Sequence, residues 1–151
     1  MKSPFSFPER WIQIQLPAKN SSTANQGRAG EESAATYLEK KGMKILERNF
    51  RSRTGEVDII ALDGETIVSV EVKTWSSYGI DALEHSLNTK KQSKIIETTK
   101  YFLSLHREYR YMAIRFDVIF VSPGPKGLQA ASKSPLANGI THIASAFAER
   151  V

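Results

Sequence analysis

The residue pattern points to an α/β domain in which a single sheet is bridged by a helix, and three features carry that expectation. Val57-Asp58-Ile59-Ile60-Ala61-Leu62 and Thr66-Ile67-Val68-Ser69-Val70-Glu71-Val72-Lys73 are β-rich runs joined through Asp63-Gly64, a strong hairpin signal. Residues 88–106 then set Ile95, Ile96, Thr99, Phe102 and Leu103 on one helical face. Finally, Ile114, Phe116, Val118 and Phe120 alternate with Arg115 and Asp117, as expected of a strand that returns beside the hairpin after a helical crossover.

Taken in order, residues 1–26 hold three prolines and the polar run Asn20-Ser21-Ser22-Thr23-Ala24-Asn25-Gln26, and read as a mobile tail. Residues 27–151 read as a single domain. Ala34, Ala35, Tyr37 and Leu38 recur at helical spacing and Lys40-Lys41-Gly42 supplies a basic last turn with a glycine stop, predicting a helix over residues 30–41. Residues 43–50 follow as a first strand, and Arg51-Ser52-Arg53-Thr54-Gly55 as a basic loop. On the second helix Lys90, Lys91 and Lys94 point away from the apolar face and give it a basic outer side. Pro123-Gly124-Pro125-Lys126-Gly127 breaks the chain, and residues 140–147 suit a strand or a helix equally.

Composition removes whole classes of function. The absence of cysteine excludes disulfides, Cys-ligated zinc and thiolate nucleophiles. No run approaches the roughly 18 apolar residues of a membrane span, and Pro4 and Pro8 stand where a signal peptide needs an apolar segment, so a cytoplasmic protein with no membrane association is expected. His85, His106 and His142 lack zinc-site spacing, and no Walker, Rossmann or G-x-S-x-G element occurs. With Lys+Arg 21 against Asp+Glu 16, the net charge of +5 favours a polyanionic partner.

The chemistry gathers on the hairpin. Side chains at i and i+2 of a strand share a face, so Glu71 and Lys73 point one way while Val70 and Val72 enter the core. If Asp63-Gly64 is the whole turn, Leu62 lies opposite Glu65, Asp58 opposite Ser69 and Glu56 opposite Glu71, which sets Asp58 diagonal to Glu71 on one face. An E-x-K pair on a strand is more often a solvated ion pair than a site. Here it lies among β-branched residues typical of a buried strand, where charges need partners. Carboxylates converging there repel unless a cation sits among them, and a hard ion such as Mg²⁺, with Mn²⁺ as substitute, takes oxygen ligands. Lys73 beside it can position a water and offset charge on a phosphoryl transition state. On the first helix, Glu31 falls in the sector of Ala34, Ala35 and Leu38 and is aimed at the sheet, whereas Glu32 falls outside it. Arg48, Arg51 and Arg53 lead into the acidic segment as candidate phosphate contacts, and Lys90 is the candidate from the second helix.

Gly27-Arg28-Ala29-Gly30-Glu31-Glu32-Ser33-Ala34-Ala35-Thr36-Tyr37-Leu38, Gly55-Glu56-Val57-Asp58-Ile59-Ile60-Ala61, Val70-Glu71-Val72-Lys73-Thr74 and Arg115-Phe116-Asp117-Val118 together resemble the YraN-like family of small bacterial proteins. That family is similar to archaeal Holliday-junction resolvases. The resemblance implies a restriction-endonuclease-like three-layer core, a mixed sheet flanked by helices in the order α-β-β-β-α-β, with a PD-(D/E)xK phosphodiesterase site. By motif, the catalytic residues it implies are Glu31, Asp58, Glu71 and Lys73. Asp58, Glu71 and Glu31 are then the metal ligands, and Glu56, which has no counterpart in the resolvase motif, is an extra one. The implied activity is a Mg²⁺-dependent endonuclease on nucleic acid, above all structured or branched DNA, with a homodimer as the form that cuts two strands. A nucleic-acid-binding accessory of the same fold without cleavage is the alternative. Two positions depart from the pattern: Trp75 replaces a basic residue and Ser69 an apolar one.

Overall fold

Helix α1 spans Ser21–Lys40 in the computed structural model, which describes residues 21–74, 87–121 and 139–149. It begins at Ser21 rather than near Gly30, so residues 21–26 of the expected tail are helical. Gly27 and Gly30 do not stop the helix, because a helical glycine costs only about 1 kcal/mol and Ala24, Arg28 and Ala29 around them favour it. The end falls where expected. Gly42 takes φ +91, Met43 N–H donates to Leu38 O and Gly42 N–H to Glu39 O, a Schellman closure that needs the glycine. Residues 1–20, Trp75, His85 and the Pro123-to-Gly127 break lie outside the described residues.

The chain continues as β1 (Lys44–Arg51), β2 (Glu56–Asp63), β3 (Thr66–Thr74), helix α2 (Thr89–Leu105), a 3₁₀ turn (Arg107–Tyr109), β4 (Ala113–Val121) and β5 (Ile140–Phe147). The five strands form one sheet in sequence order. Pairing is antiparallel except between β3 and β4, which run parallel because α2 carries the chain back across the sheet. The ambiguous segment 140–147 is thus a strand, added to the edge beyond β4.

Among the described residues, one helix covers each face. Ala34, Ala35 and Leu38 of α1 pack on Ile59, Ala61, Val68, Val70, Ile119 and Val121, all buried. Ile95, Ile96 and Phe102 of α2 pack on Val57, Ile60, Ile67 and Phe116 on the other side. This α/β/α sandwich with a mixed sheet is consistent with a restriction-endonuclease-like core. No helix among the described residues is long and apolar enough to cross a membrane.

The hairpin register differs from the expected one by two residues. Asp63 pairs with Thr66, Leu62 with Ile67 and Ile59 with Val70, so the turn is Gly64-Glu65 rather than Asp63-Gly64. Gly64 has φ +60 at the first central position, the place where a II′ turn requires glycine, whereas the expected turn would have forced Asp63 into that region. Because the shift is even, the new register by itself moves no side chain to the other face. Ser69 is fully buried and hydrogen-bonded to Thr99 Oγ1 of α2 at 3.0 Å, which accounts for a hydroxyl where an apolar residue was expected.

Candidate active site

Strict alternation in β2 fails at Asp58. Val57 and Ile60 both pack against α2 while Ile59 faces α1, so the strand is kinked between them. On β1, Asn49 lies between the pairs Arg48↔Ile59 and Phe50↔Val57 and adopts φ +53, a conformation asparagine tolerates better than most residues. Beyond Ile59↔Val70 the ladder is completed by a side chain: Val72 N–H donates to Asp58 Oδ2 at 2.8 Å. The kink therefore lays the Asp58 carboxylate against β3, beside Glu71.

Glu71 is 7% exposed and projects from β3 toward the first turn of α2. Two ammonium groups converge on its Oε1, Lys91 Nζ at 2.8 Å and Lys73 Nζ at 3.3 Å. Lys73 and Glu71 share a face as their i, i+2 spacing requires, and Val70 and Val72 pack on the α1 side. Burial, followed by repulsion from Glu71, pushes the Asp58 carboxyl well above the usual range, and Glu31 adds to the rise. Burial also drives Lys73 below the usual lysine range, with Lys91 adding to the fall against the opposing pull of Glu71. For Lys91 burial is outweighed: the attraction of Glu71, with Asp58 behind it, holds the ammonium above its ordinary value.

Glu31 is half-buried on α1 and acts as a like-charge neighbour of both Asp58 and Glu56. Glu56, at the start of β2, is raised by burial and by Glu31 and Glu71, against the opposing charge of Arg51. Glu32, the next residue, is exposed and paired with Arg48 at 2.8 Å. Helix phase thus separates the two glutamates as expected. The four carboxylates share one electrostatic neighbourhood, but among the described residues no three acidic or histidine side chains close into a cation cage.

A cation fits this donor set on two grounds. Every donor is a hard carboxylate oxygen, and the repulsion that raises Asp58 is what a divalent ion would relieve. Lys91 Nζ already stands where positive charge is called for, against Glu71 Oε1.

Lys91 is the principal correction to the residues singled out from sequence. It was placed on the outer face of α2, with Lys90 preferred as the contact; instead Lys91 turns inward while Lys90 is exposed. The signal was available. Lys91, Ile95, Thr98 or Thr99, and Phe102 recur at helical spacing, so Lys91 continues the buried stripe by one turn. Asn88 caps the helix by accepting from Lys91 N–H at 2.9 Å, which fixes this turn.

The arginines divide as well. Arg48 is held by Glu32, Arg51 lies 3.4 Å from Glu56, and Arg53 is exposed with no ion-pair partner among the described residues. Asp117, quoted only as part of a motif, proves to be fully buried. It accepts from Arg115 Nε at 2.9 Å, from Ser145 N–H at 2.9 Å and from His142 Nε2 at 2.7 Å.

The profile of uncharacterised protein family UPF0102 matches residues 30–121, which contain every carboxylate and lysine of the site. A UPF0102 protein of Persephonella marina is 43% identical over 122 residues, covering 81% of this chain and 92% of the relative. One from Treponema denticola is 45% identical over 106 residues (66% and 82%), and one from Syntrophus aciditrophicus 48% over 103 residues (67% and 79%).

Proposed function

Since the chain belongs to the UPF0102 family, whose profile ends with β4, we propose that it works as a metal-dependent endonuclease on nucleic acid, with structured or branched DNA as substrate. One observation carries the reading: two half-buried lysines converge on Glu71 beside an Asp58 that burial and like charge hold above its normal range. A purely structural ion pair needs one lysine and no second buried carboxyl.

Asp58 and Glu71 are the side chains that hold the cation, and Glu31 and Glu56 add negative charge around it. Bound there, Mg²⁺ or Mn²⁺ supplies Lewis-acid polarisation of the phosphodiester. Lys73, whose ammonium burial makes easier to deprotonate, would first release its proton to solvent and then, as the free amine, orient the attacking water and take up its proton at Nζ. Lys91, whose ammonium stands 2.8 Å from Glu71 Oε1, would offset charge on the phosphoryl oxygens. Water adds to phosphorus, and the bond to one ester oxygen breaks.

The test is a cleavage screen of branched, flapped, single-stranded and duplex DNA and RNA with Mg²⁺, Mn²⁺ or chelator. Cleavage is expected with either ion, with Lys73→Ala at least about 10²-fold slower. Undiminished cleavage in chelator would overturn the mechanism. The second reading, a binding accessory that does not cut, is favoured by the open arrangement of the carboxylates. It predicts binding in the same screen with no product.

A further inference from the structure

The basic loop between β1 and β2 is a built element. Ser52 Oγ is hydrogen-bonded to Thr98 Oγ1 of α2 at 2.9 Å and accepts from Thr54 N–H and Gly55 N–H, while Ser52 N–H donates to Gly55 O at 2.8 Å. Thr98 is fully buried, so the loop is clamped to the helix and its arginines flank a fixed edge. Between loop and helix runs an open groove of about 1110 Å³. Arg51, Arg53 and Lys100 line it with Tyr101, against one lining carboxylate, Glu97.

Tyr101, near the C-terminal end of α2, is 48% exposed. Its ring is stacked on Phe50 at 5.9 Å between centroids and 27° between planes, and Phe50 in turn meets buried Phe102 edge-on at 5.3 Å. One side of Tyr101 is therefore backed by the core while the ring stays half-exposed in a groove rimmed by cations. A backed ring beside fixed positive charge is the arrangement that receives an unpaired base, because every base has a π-face and its phosphates need neutralising.

We propose that this groove binds a single-stranded stretch of nucleic acid, one base stacked on Tyr101 and the adjoining phosphates on Arg51, Arg53 and Lys100. The proposal rests on the nucleic-acid reading above and narrows it to substrates with an unpaired flank. The groove joins the carboxylate site through the Arg51–Glu56 pair, since Glu56 also faces Glu31 and Glu71. Along α2 the rise from Lys91 to Tyr101 is roughly 15 Å, which puts the stacked base a few nucleotides from the site. Arg51 and Lys100 share their charge with Glu56 and Glu149, so Arg53 gives the groove its clearest uncommitted cation among the described residues.

The experiment measures binding of the full chain, in chelator so that nothing is cut, to fluorescent single strands containing 2-aminopurine. DNA and RNA strands of one sequence are used, and a preference for either sugar satisfies the proposal. Tyr101→Ala is expected to weaken binding by roughly tenfold and to abolish quenching of the 2-aminopurine, while Tyr101→Phe, which keeps the ring, retains both. Arg53→Ala is expected to lower the slope of log affinity against log salt by about 0.7. Wild-type affinity in a folded Tyr101→Ala protein would overturn the proposal, as would displacement of the strand by polyglutamate at equal charge, which would mark an acidic-peptide groove. A wild-type chain that cuts nothing yet shows the Tyr101-dependent binding removes the nuclease reading and supports the groove. One that cuts but binds equally well without Tyr101 keeps the nuclease reading and sinks the groove.

Discussion

Asp58 and Asp117 are both aspartates drawn into the sheet, and their surroundings drive them in opposite directions. Burial opposes both charges. At Asp117 it is overcome by His142, Arg115 and the Ser145 N–H, so the carboxyl lies below its usual range. At Asp58 a single backbone donor stands against burial and Glu71, and the carboxyl lies well above. In the Asp117 network each partner reaches further: His142 meets Asp117 through Nε2 and the Tyr37 hydroxyl through Nδ1 at 3.2 Å, and Arg115 reaches on to Asp63. A carboxylate satisfied by three fixed donors holds the fold together. One left short of donors next to another carboxylate is arranged for a charge that comes from outside.

The largest expected effect follows from removing the satisfied charge. Asp117→Asn should cost about 3 kcal/mol, because it strands Arg115 and His142 around a neutral group. Chemical unfolding checks this and also its pH dependence. The Asp117 carboxyl is depressed in the folded state, so its contribution is complete above about pH 4 and is lost as pH falls through the folded value. The variant should therefore show a flatter acid limb than the wild type; parallel limbs would remove Asp117 from the account.

Next in size is Lys91→Met. Freed of the ammonium at 2.8 Å from Glu71, the site should bind Mn²⁺ about tenfold more tightly, equivalent to ~1.4 kcal/mol by calorimetry. Unchanged or weaker affinity would mean that Lys91 does not occupy the cation's place. Asp58→Asn should act opposite to Asp117→Asn: its carbonyl still accepts from Val72 N–H while the repulsion with Glu71 disappears, so the metal-free protein should gain about 1 kcal/mol. A loss comparable to that of Asp117→Asn would erase the contrast between the two aspartates. The smallest effect belongs to Glu32→Gln, which breaks an exposed pair with Arg48 and should change stability by less than about 1 kcal/mol and cleavage hardly at all. Glu31→Gln, one residue earlier, should slow cleavage by roughly 10–100-fold. Equal rates for these two variants would undo the helix-phase argument.

The strands, both helices and the parallel crossover were legible because period-2 and period-3.6 patterns dominate residues 57–73, 88–106 and 114–120. Glu31 was legible for the same reason. The turn lies one residue later than expected, and the register two, because Asp63-Gly64 resembles a I′ pair and the choice between I′ and II′ depends on which residue takes positive φ. Lys91 was missed because a lysine on an amphipathic helix normally marks the solvated side, and only a buried carboxylate across the gap reverses that rule. The Asp117 network could not be read at all: His142 and Ser145 come from a strand far along the chain whose type the pattern left open.

The parallel pairing of β3 and β4 bears on how the protein folds. Asp58, Glu71 and Lys73 lie within one hairpin, so they meet through local closure, whereas Thr66 finds Ala113 only after the whole crossover has been laid down. Lys91 travels on that crossover. Contact order therefore predicts that folding brings the two carboxylates together with Lys73 alone between them before the second ammonium arrives on the crossover. Substitutions in the hairpin that relieve this repulsion should speed folding, whereas those in β4 that weaken Asp117 should chiefly speed unfolding.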